Sequence, residues 1–103
     1  MSANPHRGEA ELTVCGEKLV LRPSFTALVA AEQELGSLFA LVERAAEGKM
    51  TLQEIAALFD HLSAGRSVAT ERDQIGQAVV ELGLARTTPV LRVVLGQILQ
   101  GGS

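Results

Sequence analysis

Glu9 to Gly36, EAELTVCGEKLVLRPSFTALVAAEQELG, decides the fold of this chain. Apolar and polar residues alternate through its first part: Ala10, Leu12 and Val14 face one way, Glu9, Glu11 and Thr13 the other, which is the period of a half-buried strand. Leu19 and Leu21 resume the apolar face beyond a glycine, so the strand folds back on itself. Gly16-Glu17 suits the two central positions of a type II′ turn and pairs Val14 with Leu19, Leu12 with Leu21 and Glu11 with Arg22. A loop at Cys15-Gly16 keeps the same side chains inward. Pro23 has no amide hydrogen to extend a central strand, and Ser24 caps a helix through about Leu35. Phe25, Leu28, Ala31 and Leu35 form the apolar stripe of that helix, and Gly36 ends it.

Beyond Gly36 the punctuation is helical. Ser37 caps a segment in which Leu38, Leu41, Val42 and Ala45 recur at helical spacing until Gly48. Thr51 and Glu54 make a capping box ahead of Leu52, Ile55, Phe59 and Leu62. Ala64-Gly65-Arg66-Ser67 is a loop, and Thr70 caps a fourth helix carrying Ile75, Val79 and Leu82. Thr88 followed by Pro89 is a cap with proline at the first helical position, opening a last helix through about Leu99. The expected fold is therefore α+β, mostly α: a two-stranded β-hairpin over 9–22, then about five short helices over 24–100, packed as one domain over 9–100. Residues 1–8 and 101–103 read as flexible ends.

The chain has 103 residues, 47% of them hydrophobic and 20% charged, with three Phe and no Trp or Tyr. One core of packed helices fits that length, and about two-thirds of the unfolded surface is buried on folding. The formal charge is −3, with both signs interspersed, which argues against a nucleic-acid or anionic-membrane partner. Helices three and four resemble a helix-turn-helix in order only: Glu71, Asp73 and Glu81 stand against Arg72 where phosphate contacts need clustered cations. No apolar run approaches the ~18 residues of a membrane span, and the N-terminus lacks an apolar leader core. A single cysteine, Cys15, requires no oxidising compartment. A cytoplasmic, unexported protein is expected.

No reactive centre is legible. Cys15 has no histidine predictably beside it, as an activated nucleophile requires. Asp60 and His61 adjoin in sequence but diverge by about 100° around a helix, and His6, His61 and Cys15 share no metal-ligand spacing. The expectation is a protein that is not an enzyme and holds no cofactor and no metal. Glu32 and Glu34, at the unfavourable C-terminal end of the first helix, read either as a solvated acidic edge or as an answer to a basic partner.

The last helix stands apart. Val90, Leu91, Val93, Val94, Leu95, Ile98 and Leu99 spread over about 240° of its circumference, more than one core contact needs. Either the helix is inserted centrally among the others or part of it faces a partner. On the partner reading Val90, Val93 and Leu99, which flank the stripe of Leu91, Val94, Leu95 and Ile98, are the contact residues. The hairpin poses a related problem, because two strands alone are marginal and have two open edges.

The phrase Asn4-Pro5-His6-Arg7-Gly8-Glu9 before the hairpin, Leu21-Arg22 leading into the first helix, and the close of that helix over Glu32 to Gly36 resemble the small tail assembly chaperone family of gene transfer agents and related tailed phages. The likeness covers about residues 3 to 62. It implies a chaperone that binds the tape measure protein through apolar helix surface in the cytoplasm of the producing bacterial cell, and that is absent from the finished particle. Tail tube subunits are a second implied partner, and a homo-oligomer through the hairpin edge or the last helix is compatible with it. The alternative is a structural tail component, a tube or completion subunit retained in the particle. It ranks second here because one hairpin offers few strands with which to close a ring.

Overall fold

The computed structural model describes residues 10–14, 16–64 and 71–100. The N-terminal tail over 1–8, Cys15, the Gly65 to Ser67 part of the expected loop, the Thr70 cap and the 101–103 end lie outside the described residues.

A two-stranded antiparallel hairpin opens the fold, β1 (Ala10–Val14) against β2 (Glu17–Leu21). Its register is Ala10 to Leu21, Leu12 to Leu19 and Val14 to Glu17. Val14 faces Glu17 across the hairpin, which corrects the register preferred from sequence by two residues. Gly16 has a φ of +79°, so the glycine supplies positive φ at the second loop position, where the type II′ turn would have needed it at the first. The inward face is unchanged by this two-residue shift: Ala10, Leu12, Val14, Leu19 and Leu21 are all buried.

Five helices follow: α1 (Phe25–Leu35), α2 (Leu38–Ala46), α3 (Leu52–Leu62), α4 (Arg72–Leu82) and α5 (Leu84–Gln100). The caps read from sequence form. Ser24 Oγ accepts from the amide of Ala27 at 3.2 Å, and Ser37 Oγ from that of Ala40 at 3.4 Å. At α3 the capping box closes in both directions, Thr51 N to Glu54 Oε1 at 2.9 Å and Glu54 N to Thr51 Oγ1 at 3.1 Å. Gly36 ends α1 at a φ of +87°, with its amide on the Glu32 carbonyl.

Three starts and edges differ from expectation. The last helix begins at Leu84, one turn before Thr88-Pro89, so Pro89 lies inside it. Proline costs a helix the bond its amide would have made four residues back. Here Thr87 Oγ1 and Thr88 Oγ1 each donate to the carbonyls of Gly83 and Leu84, both at 2.8 Å, and hold the turn ahead of the ring. Helix α4 opens at Arg72, with the Glu71 amide donating to Gln74 Oε1 at 2.8 Å. A third strand, β3 (Ser63–Ala64), pairs with β2 opposite Val20 and Leu21, giving the order β1-β2-β3. The hairpin edge along β2 is therefore partly covered by the chain itself, and the Arg22 amide adds a bond to the Leu62 carbonyl at 2.7 Å.

The helix buried at the centre is α3. Ile55, Ala56, Ala57, Leu58, Phe59 and Leu62 are all buried, and α3 packs on α1, α4 and β2. The inner hairpin face, Ala31, Leu41, Ile75, Val79 and Val94 complete one core around it. Helix α5 lies at the side, against α4, β1 and α2, with Thr87, Val94 and Leu95 as its buried residues. Phe25 and Leu52, read as core positions, are exposed. Each is the first residue of its helix, where the Cα–Cβ bond tilts toward the N-terminus and carries the side chain past the core.

Candidate interaction surface

Two features of the molecular surface stand out: a closed ion network and an open apolar groove. The network joins three helices. Glu34 of α1 accepts from Arg72 of α4 (Nη2 to Oε1, 2.8 Å; Nη1 to Oε2) and pairs with His61 Nε2 of α3 at 2.7 Å. Arg72 also donates through Nε and Nη2 to Asp60 Oδ2 at 3.1 and 3.0 Å. Asp60 and His61, which diverge around α3, are thus brought together by residues of α1 and α4. The Arg72 hydrogen bond first, and that of His61 second, lower the Glu34 pKa to about 2. The same contact, first with Glu34 and then with Asp60, raises that of Arg72.

Glu34 therefore answers a cation within its own chain. Glu32 accepts the Leu38 amide at 3.2 Å and serves as a cap for α2. Near α3, Arg44 pairs with Glu54, whose pKa is lowered mainly by the Thr51 backbone amide. Among the described residues no group of three or more His, Cys, Asp and Glu side chains could hold a metal ion. No single described helix is long and apolar enough to cross a membrane.

The groove runs between α2 and α5. Val42, Ala45 and Ala46 form one wall, Leu84, Leu91, Leu95 and Leu99 the other, and Ile55 of α3 lies at its floor, enclosing about 460 Å³. Leu84 and Leu99 are each 56% exposed at its two ends. Arg92 stands midway along the α5 wall as the one titratable lining residue. Gly96 also lines it, and a Cβ built there would meet nothing within 4 Å. Elsewhere Phe25 is 82% and Phe39 75% exposed, large apolar surface for a small domain to leave in water.

The three residues read from sequence as partner contacts separate here. Val90 and Val93 are half-buried against the core, while Leu99 is exposed in the groove. Sequence reading missed Leu84, Gly96 and Arg92, because it began the helix at Thr88 and weighed only apolar residues. Leu84, Leu91, Leu95 and Leu99 do share a stripe at helical spacing, so that signal was available once the helix was extended by a turn. Phe25 and Phe39 carried none, since an exposed and a buried aromatic look alike in a sequence.

A family model described as phage tail tube protein, GTA-gp10, matches residues 7–101. The chain belongs to that phage tail tube protein family. The match reaches through the last two helices, well beyond the residues that carried the resemblance above. Neither a curated protein nor a solved structure matches the chain. Membership in a tube protein family supports a phage or gene-transfer-agent tail protein and overturns the chaperone reading, favouring the structural component ranked second. The earlier ranking weighed strand number alone, but rings also close through helix surfaces, and this fold exposes them on α1, α2 and α5.

Proposed function

We propose that this protein is a structural subunit of a phage-like tail, retained in the particle and working by contact with other tail subunits, without catalysis. The observation that carries this reading is the family match over residues 7–101. The chemistry of the surface supports it. The described ionisable groups at the helix junctions pair with one another, and the groove is mainly apolar, with Thr87, Thr88 and Arg92 as its polar side chains. Such a lining suits a protein contact and lacks a paired acid and base.

The partners we propose are other tail subunits, met in the cytoplasm of the producing cell as the tail is built. The tape measure protein is a second partner we propose to test, by cross-linking in the producing cell. The exposed end of α5 at Leu99 is the contact we put first, and Val90 and Val93 support it from the core side. Mass spectrometry of purified particles tests the proposal. Stoichiometric recovery of this chain, together with tailless or short-tailed particles from a deletion strain, is the expected result. Abundant protein in the producing cell with none in washed particles would refute it.

A further inference from the structure

Of the exposed apolar residues, those on α1 and on the α5 wall of the groove stand beside charged residues of opposite sign at the same spacing. The groove wall on α5 carries Leu99 and, seven residues earlier, Arg92, which has no partner among the hydrogen bonds and ion pairs of the described residues. Helix α1 carries Phe25 and, seven residues later, Glu32, whose carboxylate is exposed. Seven residues span about 10 Å of helix and return to the same face within about 20°. The two spacings therefore coincide when the helices run antiparallel, the arrangement their dipoles favour.

We propose that α1 of one copy lies along the α2–α5 groove of the next, with Phe25 seated beside Leu99 and Glu32 set against Arg92. The inference rests on the reading that copies of this chain meet in a tail. No α1 residue lines the groove, so the site is not filled by the α1 of its own subunit. Donor and acceptor surfaces differ, which makes the contact heterologous: each copy offers one of each, and assembly continues into a ring or a filament. A two-fold contact would stop at a dimer.

The donor is held in shape before it docks. Ser24 caps the first turn and Glu32 holds the start of α2, so little side-chain and loop freedom is lost on binding. Gly96 completes the acceptor. A glycine inside a helix costs about 1 kcal/mol relative to alanine, and none of the described residues occupies the space over this one. A neighbouring helix that must approach closely accounts for it.

The test is sedimentation and light scattering of the full-length chain over a concentration series, with Phe25→Ser as a donor-blocked variant and Leu99→Glu as an acceptor-blocked one. Both positions are exposed, so thermal melts followed by circular dichroism should match the wild type. Wild-type protein should grow beyond the dimer, and each variant alone should associate at least tenfold more weakly. An equimolar mixture of the two should form a dimer and stop, since the intact groove of one accepts the intact α1 of the other. A mixture that stays monomeric, a Phe25→Ser protein that assembles like wild type, or a wild type monomeric at every concentration would each overturn the inference. Particle analysis separates this from the broader reading: Phe25→Ser incorporated at wild-type copy number sinks only the interface, whereas wild-type particles without the protein sink the tail-subunit assignment.

Discussion

Replacing Gly96 by alanine should stabilise the isolated subunit and weaken its assembly at the same time. The position lies within α5, ten residues or more beyond Leu84 and short of Gln100, and its backbone is not in the left-handed region. A Cβ there meets no atom within 4 Å, so the substitution neither clashes nor buries new surface. What remains is the backbone term, about 0.5–1 kcal/mol in favour of alanine inside a helix. For a domain near 100 residues, about 1 kcal/mol moves the melting temperature by roughly 4–8 °C. The expected gain is therefore about 2–8 °C in dilute solution, measured by circular dichroism or calorimetry. Gly76→Ala is the internal standard, because its Cβ would sit 3.6 Å from that of Ala56, an ordinary contact, and should give a similar gain. A fall in melting temperature for Gly96→Ala, with the expected rise for Gly76→Ala, would refute the claim that the space over Gly96 is empty. A gain in stability with unchanged self-association would leave the helix account standing and remove the functional reason for the glycine.

Other substitutions probe other joints of the fold. Phe59→Ala, fully buried at the centre of α3, should cost about 3–5 kcal/mol, read by urea denaturation, against a typical total of 5–15. Thr51→Ala removes the acceptor of the α3 capping box and should cost about 1 kcal/mol in the same assay. Val93→Ser should lower the melting temperature measurably while Leu99→Ser should not, because Val93 is half-buried on the core and Leu99 is exposed. The folded-state pKa of Glu34 is depressed from 4.5 to about 2, so its stabilising contribution is complete above about pH 4.5 and is lost as pH falls toward 2. Glu34→Gln should flatten that acid limb in a pH series of melts, and an unchanged limb would show that the pairing with Arg72 and His61 is not what shifts the group.

Legibility from sequence followed the range of the physical signal. Local devices were readable because they are complete within a few residues: the alternation of Ala10, Leu12 and Val14, the Ser24 and Ser37 caps, the Thr51–Glu54 box and the Gly36 stop all appear where the chain places them. Whatever depended on distant partners was not. The pairing of Ser63–Ala64 with β2 needs residues more than 40 positions apart, and the Glu34–Arg72–Asp60–His61 network needs three helices in register. The hairpin register that sets Val14 opposite Glu17 was one of two that the residues allowed. The start of α5 was misplaced for a chemical reason: Thr88-Pro89 is a sound opening signal, but two threonine hydroxyls bonded back to the preceding carbonyls let the helix run through it.

The breadth of the apolar arc on α5 now divides into two uses. Val94 and the half-buried Val90, Val93 and Ile98 hold the helix to the core, while Leu84, Leu91 and Leu99 line the groove on the other side, with Leu95 buried between the two. The choice between central burial and partner contact was posed as exclusive, and the structure shows a helix lying at the side of the domain with both faces apolar. Burial of the first face alone would satisfy stability, so polar residues along the second would cost the fold little. The leucines that stand there instead at 84, 91 and 99, together with a glycine that weakens the helix from within, are therefore best accounted for by a requirement outside the subunit. Substituting the groove face should leave melting curves nearly intact and change association, whereas substituting the core face should do the reverse. Melts and sedimentation run in parallel on Leu99→Glu and Val94→Ala decide whether the two faces are separable, and loss of both properties in both variants would show that α5 has a single role in the core.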